Sequence, residues 1–431
     1  MASAELVVII NGREIGRIER DTRGRLTFAY TESWRREPGA YPLSLSMPLA
    51  AERHGHKPIE AFLWNLLPDN DAVLERWARR FQVSARNPFA LLSHVGEDCA
   101  GAAQFVQPDR LDAVLGQVPS PVEWLDEAGI AVRLRTLRAD HTAWRAPSDT
   151  GQFSLPGAQP KTALLFEDGR WGIPSGRMPT THILKPPTGE YDGHAENEHL
   201  CLRLAAALGM ITARSDVKWF EDEVAIVIER YDRLRTAAGL IRVHQEDFCQ
   251  ALSVHPSRKY ENEGGPGARA SAELLRTFSG RPQEDADRFT DALIFNWLIG
   301  GTDAHAKNYS LLIGAEGRAR LAPLYDVASI LPYDFDLQKV RLAMKIGGTY
   351  RLRDIGPRQW VKLAADLRLK ADEVVERVRG MAGGLPDHVS DVERQVAKAG
   401  LKHPLVAQLA ARLIERAKRC VELLDVSAAA N

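Results

Sequence analysis

The chain has 431 residues and a formal net charge of −1, so no global field favours nucleic acid or an anionic membrane. Hydrophobic residues make up 45% and charged residues 26%, the balance of an ordinary globular protein with room for two or three domains. Cys99, Cys201, Cys249 and Cys420 are scattered with no Cys-x-x-Cys pair, which argues against a zinc site and a disulfide framework and for a reducing, cytoplasmic compartment.

The first apolar run, Leu6 to Ile10, is too short for a signal peptide or a membrane span, and no later run approaches spanning length. Leu6–Ile10, Ile15–Ile18 and Leu26–Tyr30 read as strands of a β-meander. Asn11-Gly12 and Arg23-Gly24 punctuate them; Asn-Gly is a strong hairpin signal because both residues tolerate positive φ. His54 and His56 have no third ligand near them and read as exposed loop histidines. The spacing of Val73, Trp77 and Phe81 predicts a helix over 71–81. Pro108, Pro119 and Pro121 mark a connection, and Ala146 to Pro160, rich in Pro, Ser and Gly, reads as a loop.

A second β-rich unit follows, with strands predicted at Ala163–Phe166, His182–Lys185, Val217–Phe220 and Val224–Ile228. Among them Leu200, Leu204, Ala207 and Leu208 form one helix face, and Gly209 suits its end. After about residue 245 the pattern turns mostly helical. Phe289, Leu293 and Trp297 lie on one face of a helix that Gly300-Gly301 ends just before Asp303.

Asp303 and Asn308 lie in the run Thr302-Asp303-Ala304-His305-Ala306-Lys307-Asn308-Tyr309-Ser310. An Asp followed at this spacing by an Asn is the arrangement of the kinase catalytic loop, where the Asp accepts a hydroxyl proton and the Asn holds Mg²⁺. A hairpin is predicted from Tyr309–Ile313 through Gly314-Ala315-Glu316-Gly317 to Arg320–Leu324, and Asp326 follows it. Loop, hairpin and metal-binding Asp come in the order that kinases use. Turn chemistry alone also explains an Asp and an Asn after Gly-Gly.

The other candidates are weaker alone. Lys185 ends its strand where a kinase Lys meets phosphates, although a strand-end Lys is usually just solvated. Glu196 or Glu198 could pair with it, or both could favour the helix dipole. Ser154-Leu155-Pro156-Gly157-Ala158-Gln159-Pro160-Lys161-Thr162 is neither a Walker A loop nor a Gly-x-Gly-x-x-Gly loop. What remains is a small-residue turn of the sort that can cradle phosphate. Glu229-Arg230-Tyr231 closes a strand where a kinase hinge meets adenine. Gly264-Gly265-Pro266-Gly267 reads as a flexible surface loop.

Taken in order, these segments resemble the HipA family, serine/threonine-kinase toxins of bacterial toxin–antitoxin pairs. The resemblance rests on Pro42–Leu49, Asn65–Asp69, Ser154–Thr162, Thr181–Lys185, Glu229–Arg233, Gln245–Asp247, Lys259–Glu261, Thr302–Ser310, Tyr325-Asp326 and Leu342–Met344. It implies an α+β, bilobal protein-kinase-like fold with an N-terminal β-rich subdomain (1–108), a kinase N-lobe (109–245) and an all-helical C-lobe (246–431). It implies Asp303 as catalytic base and Asn308 and Asp326 as Mg²⁺ ligands. ATP contacts would come from Pro156, Gly157, Ala158, Gln159, Pro160, Lys161 and Lys185, from Glu229, Arg230 and Tyr231 at the hinge, and from His305, Ala306, Lys307, Asn308, Tyr325 and Asp326. Ser154 would be the autophosphorylated serine whose modification ejects its loop and silences the kinase.

The resemblance further implies a HipB-like helix-turn-helix antitoxin as partner, operator DNA bound chiefly through it, and an aminoacyl-tRNA synthetase as phosphorylated target. Pro160 stands where the enteric form carries an acidic residue, which bears on loop stiffness. Ile346–Asp354 is shorter than its counterpart, which bears on direct DNA contact. An ATP-gated co-repressor and a small-molecule kinase on the same scaffold are the alternative readings.

Overall fold

The computed structural model describes residues 4–116, 121–145, 153–189, 191–237 and 239–426. Pro119 and the 146–152 part of the expected loop lie outside these. Contacts group the chain into two units: Met1–Pro186 with Lys218–Ser257 and Leu311–Ala319, and Pro187–Val217 with Arg258–Ser310 and Arg320–Asn431. This grouping is coarser than the three-part division at 108 and 245, which stands as a proposal.

In the first unit, the described strands form two larger sheets. One holds β1 (Ala4–Ile10), β2 (Arg13–Arg20), β3 (Leu26–Tyr30), β4 (Arg53–His54) and β5 (Ala103–Val106) in the order β4-β3-β2-β1-β5. Asn11 and Gly12 make the β1–β2 turn with φ of 46° and 77°, as the hairpin signal requires. β1 is apolar from Leu6 to Ile10 because both its faces are covered there: Leu6, Val8 and Ile10 enter the main core, while Val7 and Ile9 pack with Val106 and Val114. The helix Asp71–Phe81 forms as predicted, capped by the Asn70 side chain. His54 departs from expectation: it is buried, pairs with Phe28 across β3–β4 and bonds Pro48 O at 3.1 Å.

The second sheet holds β6 (Val122–Leu125), β7 (Thr162–Glu167), β8 (Arg170–Pro174), β9 (His182–Lys185), β10 (Ser215–Phe220) and β11 (Glu223–Glu229) in the order β10-β11-β9-β7-β8-β6. The helix Glu127–Ala139 lays Ile130, Ala131 and Leu134 on Leu164, Leu184, Ala225 and Val227. β9 and β11 are antiparallel, with Lys185 opposite Ile226 and His182 opposite Glu229. Lys185 and Glu229 therefore stand at opposite ends of one strand pair.

The second unit is built on the helices His194–Ala207, Ala268–Phe278, Pro282–Ile299, Pro357–Asp366, Ala371–Lys398 and Pro404–Val426. A short ribbon, Arg341–Ile346 with Thr349–Arg351, stands among them and carries the Leu342-Ala343-Met344 motif. The C-terminal part is thus helical but not wholly so, and alternation over so few residues does not announce a strand pair. The expected hairpin forms from Ser310–Ile313 and Ala319–Leu321, with Gly314 N–H donating to Arg318 O at 2.9 Å. Gly265 is no loose loop residue, since a Cβ there would meet Arg258 O at 2.0 Å. No helix among the described residues is long and apolar enough to cross a membrane.

Candidate active site

The helix Pro282–Ile299 delivers the Asp303 loop. Pro282 suits its first turn, and Phe289, Leu293 and Trp297 are buried. Gly300 ends it at φ 65°, a left-handed conformation that penalises a Cβ. Gly301 N–H returns to Asn296 O at 2.8 Å, and a Cβ on Gly301 would meet Asn296 Oδ1 at 2.2 Å. Both glycines are therefore required by the turn that launches the loop.

Within the loop the Asp303 side chain is 65% exposed, whereas His305, Ala306, Lys307 and Asn308 are buried. The Asp303 carbonyl accepts two bonds, from His305 N–H at 2.8 Å and from Asn308 Nδ2 at 2.7 Å. Asn308 N–H donates to His305 O at 2.9 Å, so the loop closes on itself. With Nδ2 committed to Asp303, the Asn308 Oδ1 faces away from that bond, and a hard divalent cation wants such an oxygen. Ala306 N–H donates to Lys259 O at 3.3 Å. The Tyr325 hydroxyl donates to Lys307 O at 2.7 Å and pairs with Ser310 Oγ at 2.7 Å. Asp326 follows with φ 56°, a left-handed position for a non-glycine residue, of the kind that persists where the surroundings over-determine it.

The Tyr260 hydroxyl donates to Asp303 Oδ1, and its ring meets the His305 ring edge-on at 4.8 Å. His305 Nε2 lies 3.9 Å from Asp303 Oδ1. Sequence reasoning gave Tyr260 no role beyond its motif; a phenol and a carboxylate so far apart in the chain carry no local signal. Glu261 accepts Lys345 N–H at 2.7 Å and so ties the same motif to the ribbon.

In the first unit, Lys185 is buried at the end of β9. At the end of β11, Glu229 is exposed and Tyr231 half-buried, with its hydroxyl on Gln245 Oε1. Arg230, between them, is buried. Its N–H donates to Thr181 O at 2.9 Å and its carbonyl accepts Arg233 N–H at 3.2 Å. Its guanidinium is enclosed against Asp232 (2.8 Å), Thr180 Oγ1 (2.9 Å) and Cys99 O (2.8 Å). Arg230 thus fastens the end of β11 to Cys99 and Thr180 of the same unit.

Asp98 is the centre of that anchor, bonded by Arg233 at 2.8 Å and Thr180 Oγ1 at 2.7 Å, with Arg242 at 3.2 Å. Burial alone would raise the Asp98 carboxyl, but Arg233, Arg230 and Arg242 outweigh it and hold it well below the usual carboxylate range.

The same Asp98 holds the Ser154 loop through its backbone, since Ser154 N–H donates to Asp98 O at 3.0 Å. Ser154 is fully buried and its Oγ donates to Leu66 O at 2.8 Å. Asp69 N–H donates to Gly157 O at 3.0 Å, so the Asn65–Asp69 motif clamps the loop from the N-terminal side. Lys161 Nζ donates to Pro156 O at 2.6 Å and sits 5.2 Å from the Trp144 ring; Ala158 is the exposed tip.

A family model described as the HipA-like C-terminal domain matches residues 153–389. The chain belongs to the HipA family. A second model, the HipA N-terminal domain, matches residues 6–106, so both parts of a HipA protein are present. The serine/threonine-protein kinase toxin HipA of Shewanella oneidensis is 30% identical over 393 residues, covering 85% of this chain and 84% of that protein. Y4mE of Sinorhizobium fredii, which carries the name of a kinase, is 37% identical over 414 residues, covering 95% and 96% of the two chains. The solved complex of Shewanella oneidensis HipA with HipB and its operator DNA gives a TM-score of 0.83 at 26% identity, over 97% of this chain and 98% of that one. The α+β, kinase-like HipA fold is therefore the fold of this chain.

Proposed function

We propose that this HipA family member is an ATP- and Mg²⁺-dependent protein serine/threonine kinase and the toxin of a toxin–antitoxin pair. The observation that carries the reading is the hydrogen bond from Asn308 Nδ2 to the Asp303 carbonyl. It joins a general base and a metal-ligand amide in one self-closed loop, beneath an exposed carboxylate that a protein substrate can reach. Asp303 takes the proton of the acceptor hydroxyl. That oxygen then bonds to the γ-phosphorus, the bond from γ-phosphorus to the bridging oxygen breaks, and ADP leaves. Asn308 Oδ1 and the Asp326 carboxylate would hold Mg²⁺, which when bound neutralises the charge developing on the phosphates.

Lys185, residues 156–161 and His305–Asn308 are the proposed phosphate contacts, Glu229, Arg230 and Tyr231 the proposed adenine hinge, and Tyr325 a further proposed ATP contact. Autophosphorylation of Ser154 is the proposed off-switch. The solved relative, assembled with HipB on operator DNA, supports a HipB-like antitoxin here, with operator contact chiefly through it. An aminoacyl-tRNA synthetase is the proposed acceptor, its modification stalling translation and growth. Asp303→Gln should leave folding and ATP binding intact, lower phosphoryl transfer by about 10²–10⁴-fold and abolish growth inhibition. Labelled-phosphate transfer onto a panel of purified synthetases reads this directly, and wild-type transfer by the variant would falsify the assignment.

A further inference from the structure

Asp303 and Asp326 lie in one unit, on separate segments, and what fixes one against the other is not part of the kinase signature. The helix His194–Ala207 turns Asn197 inward, and that side chain is fully buried. Asn197 Oδ1 accepts Ser329 N–H at 2.9 Å, and its Nδ2 donates to Ser329 O at 2.8 Å. One amide thus clamps both backbone groups of one residue. The Tyr333 hydroxyl at 3.3 Å and Cys201 Sγ at 3.4 Å take up its remaining capacity.

Ser329 passes the constraint on. Its Oγ donates to Ile299 O at 2.5 Å and accepts Leu331 N–H at 3.1 Å. Ile330 N–H donates to Gly300 O at 3.2 Å. Ile299 and Gly300 end the helix before the Asp303 loop, where carbonyls lack partners inside the helix. Only Val327 and Ala328 separate Ser329 from Asp326, and only Gly301 and Thr302 separate Gly300 from Asp303.

We propose that Asn197 is a positioning residue of the phosphoryl-transfer site: through Ser329 it fixes the metal-binding Asp326 relative to the base Asp303. The proposal rests on the kinase reading above. A carboxamide is required at this point because the clamp needs a donor and an acceptor on one flat group. Asn197→Asp keeps the shape but presents only acceptors, setting a carboxylate oxygen against Ser329 O. A displacement of about 1 Å in such a site costs on the order of 10²-fold in rate.

The test compares wild type, Asn197→Asp, Ser329→Ala and the double variant, with Asp303→Gln as control. Each single variant should lower kcat by about 10–100-fold while KM for ATP stays within about threefold, and the double variant should fall no further than the worse single one. Independently of activity, hydrogen exchange at residues 326–331 should quicken in Asn197→Asp while that of Pro404–Val426 stays unchanged. Unchanged kcat with unchanged exchange at 326–331 overturns the proposal. A general rise in exchange across the unit overturns it too, since Asn197 would then be merely structural. If wild type itself transfers no phosphate, the kinase reading falls, and the exchange readout still decides whether Asn197 holds the 326–331 segment.

Discussion

Ser154 is held by modest forces, and their sizes decide what a phosphate there would do. Its Oγ–Leu66 O bond contributes about 0.5–1.5 kcal/mol net. Its neighbours Phe153 and Leu155, both buried with Ala163, contribute roughly 1.5–3 kcal/mol each. A phosphoserine carries about −1.5 to −2 charges, and an unpaired charge in such a place costs far more than those contacts together return. Expulsion of the loop on modification is therefore the outcome expected of the proposed off-switch. Incubation with ATP should place phosphate on Ser154, and limited proteolysis should then cut within 153–161 where the unmodified protein resists. Mass spectrometry that finds the phosphate only elsewhere removes Ser154 from the mechanism.

At the scale of elements, the helix Pro282–Ile299 leads into the loop of the proposed base, and its C-terminal end is held from a distant part of the sequence. Arg416, on the helix Pro404–Val426, donates from Nε to Leu298 O at 2.9 Å and from Nη2 to Trp297 O at 2.7 Å, with its guanidinium 5.6 Å from the Trp297 ring. It supplies the donors that last-turn carbonyls lack and a positive charge where the helix dipole favours one. Arg416→Met keeps the aliphatic stem and removes the donors. It should cost about 1–3 kcal/mol in urea denaturation, and Arg416→Lys less. An unchanged midpoint in Arg416→Met would show that the helix end is held by other means.

Arg416 also marks where sequence reading stops. The Asp303–Asn308 spacing, the Gly-Gly stop and the 71–81 helix were legible because the forces that make them act within a few residues. Asn197, Arg416 and Tyr260 were not, because their partners arrive from remote segments. Arg230 shows the same limit from the other side. It lies within a plausible hinge motif, yet beyond its near neighbour Asp232 its guanidinium is held by Thr180, Cys99 and Asp98, the last across 132 positions, and no local pattern predicts those contacts. The bilobal kinase-like layout was legible from the order of motifs, while the Arg341–Ile346 ribbon was too short to leave a period.

For the whole molecule, buried titratable groups set how stability changes with pH. Burial depresses His182, His199 and His244 to about 4 from an ordinary value of 6.5. Their neutral forms are favoured on folding, so between about 4 and 6.5 the unfolded chain binds more protons and stability rises with pH. Glu246 acts in the opposite sense. Burial pushes its carboxyl up to about 8, against bonds from Ser44 and Leu45 N–H and helped by the Asp247 charge. Between about 4.5 and 8 the folded chain holds this proton and the unfolded chain does not, so its contribution is lost as pH rises. The three histidines outweigh this one carboxyl below 6.5, and of these four groups only Glu246 acts above it. Stability should therefore peak near pH 6.5 and then decline towards pH 8 by at most about 1.4 kcal/mol per pH unit. Glu246→Gln retains an acceptor for Leu45 N–H, whose bond to Oε1 is 2.8 Å, and carries no titrating proton. Urea midpoints for the variant should be flat from pH 6.5 to 8 while the rise from 4 to 6.5 survives. A decline above 6.5 as steep as in wild type would assign it to another group.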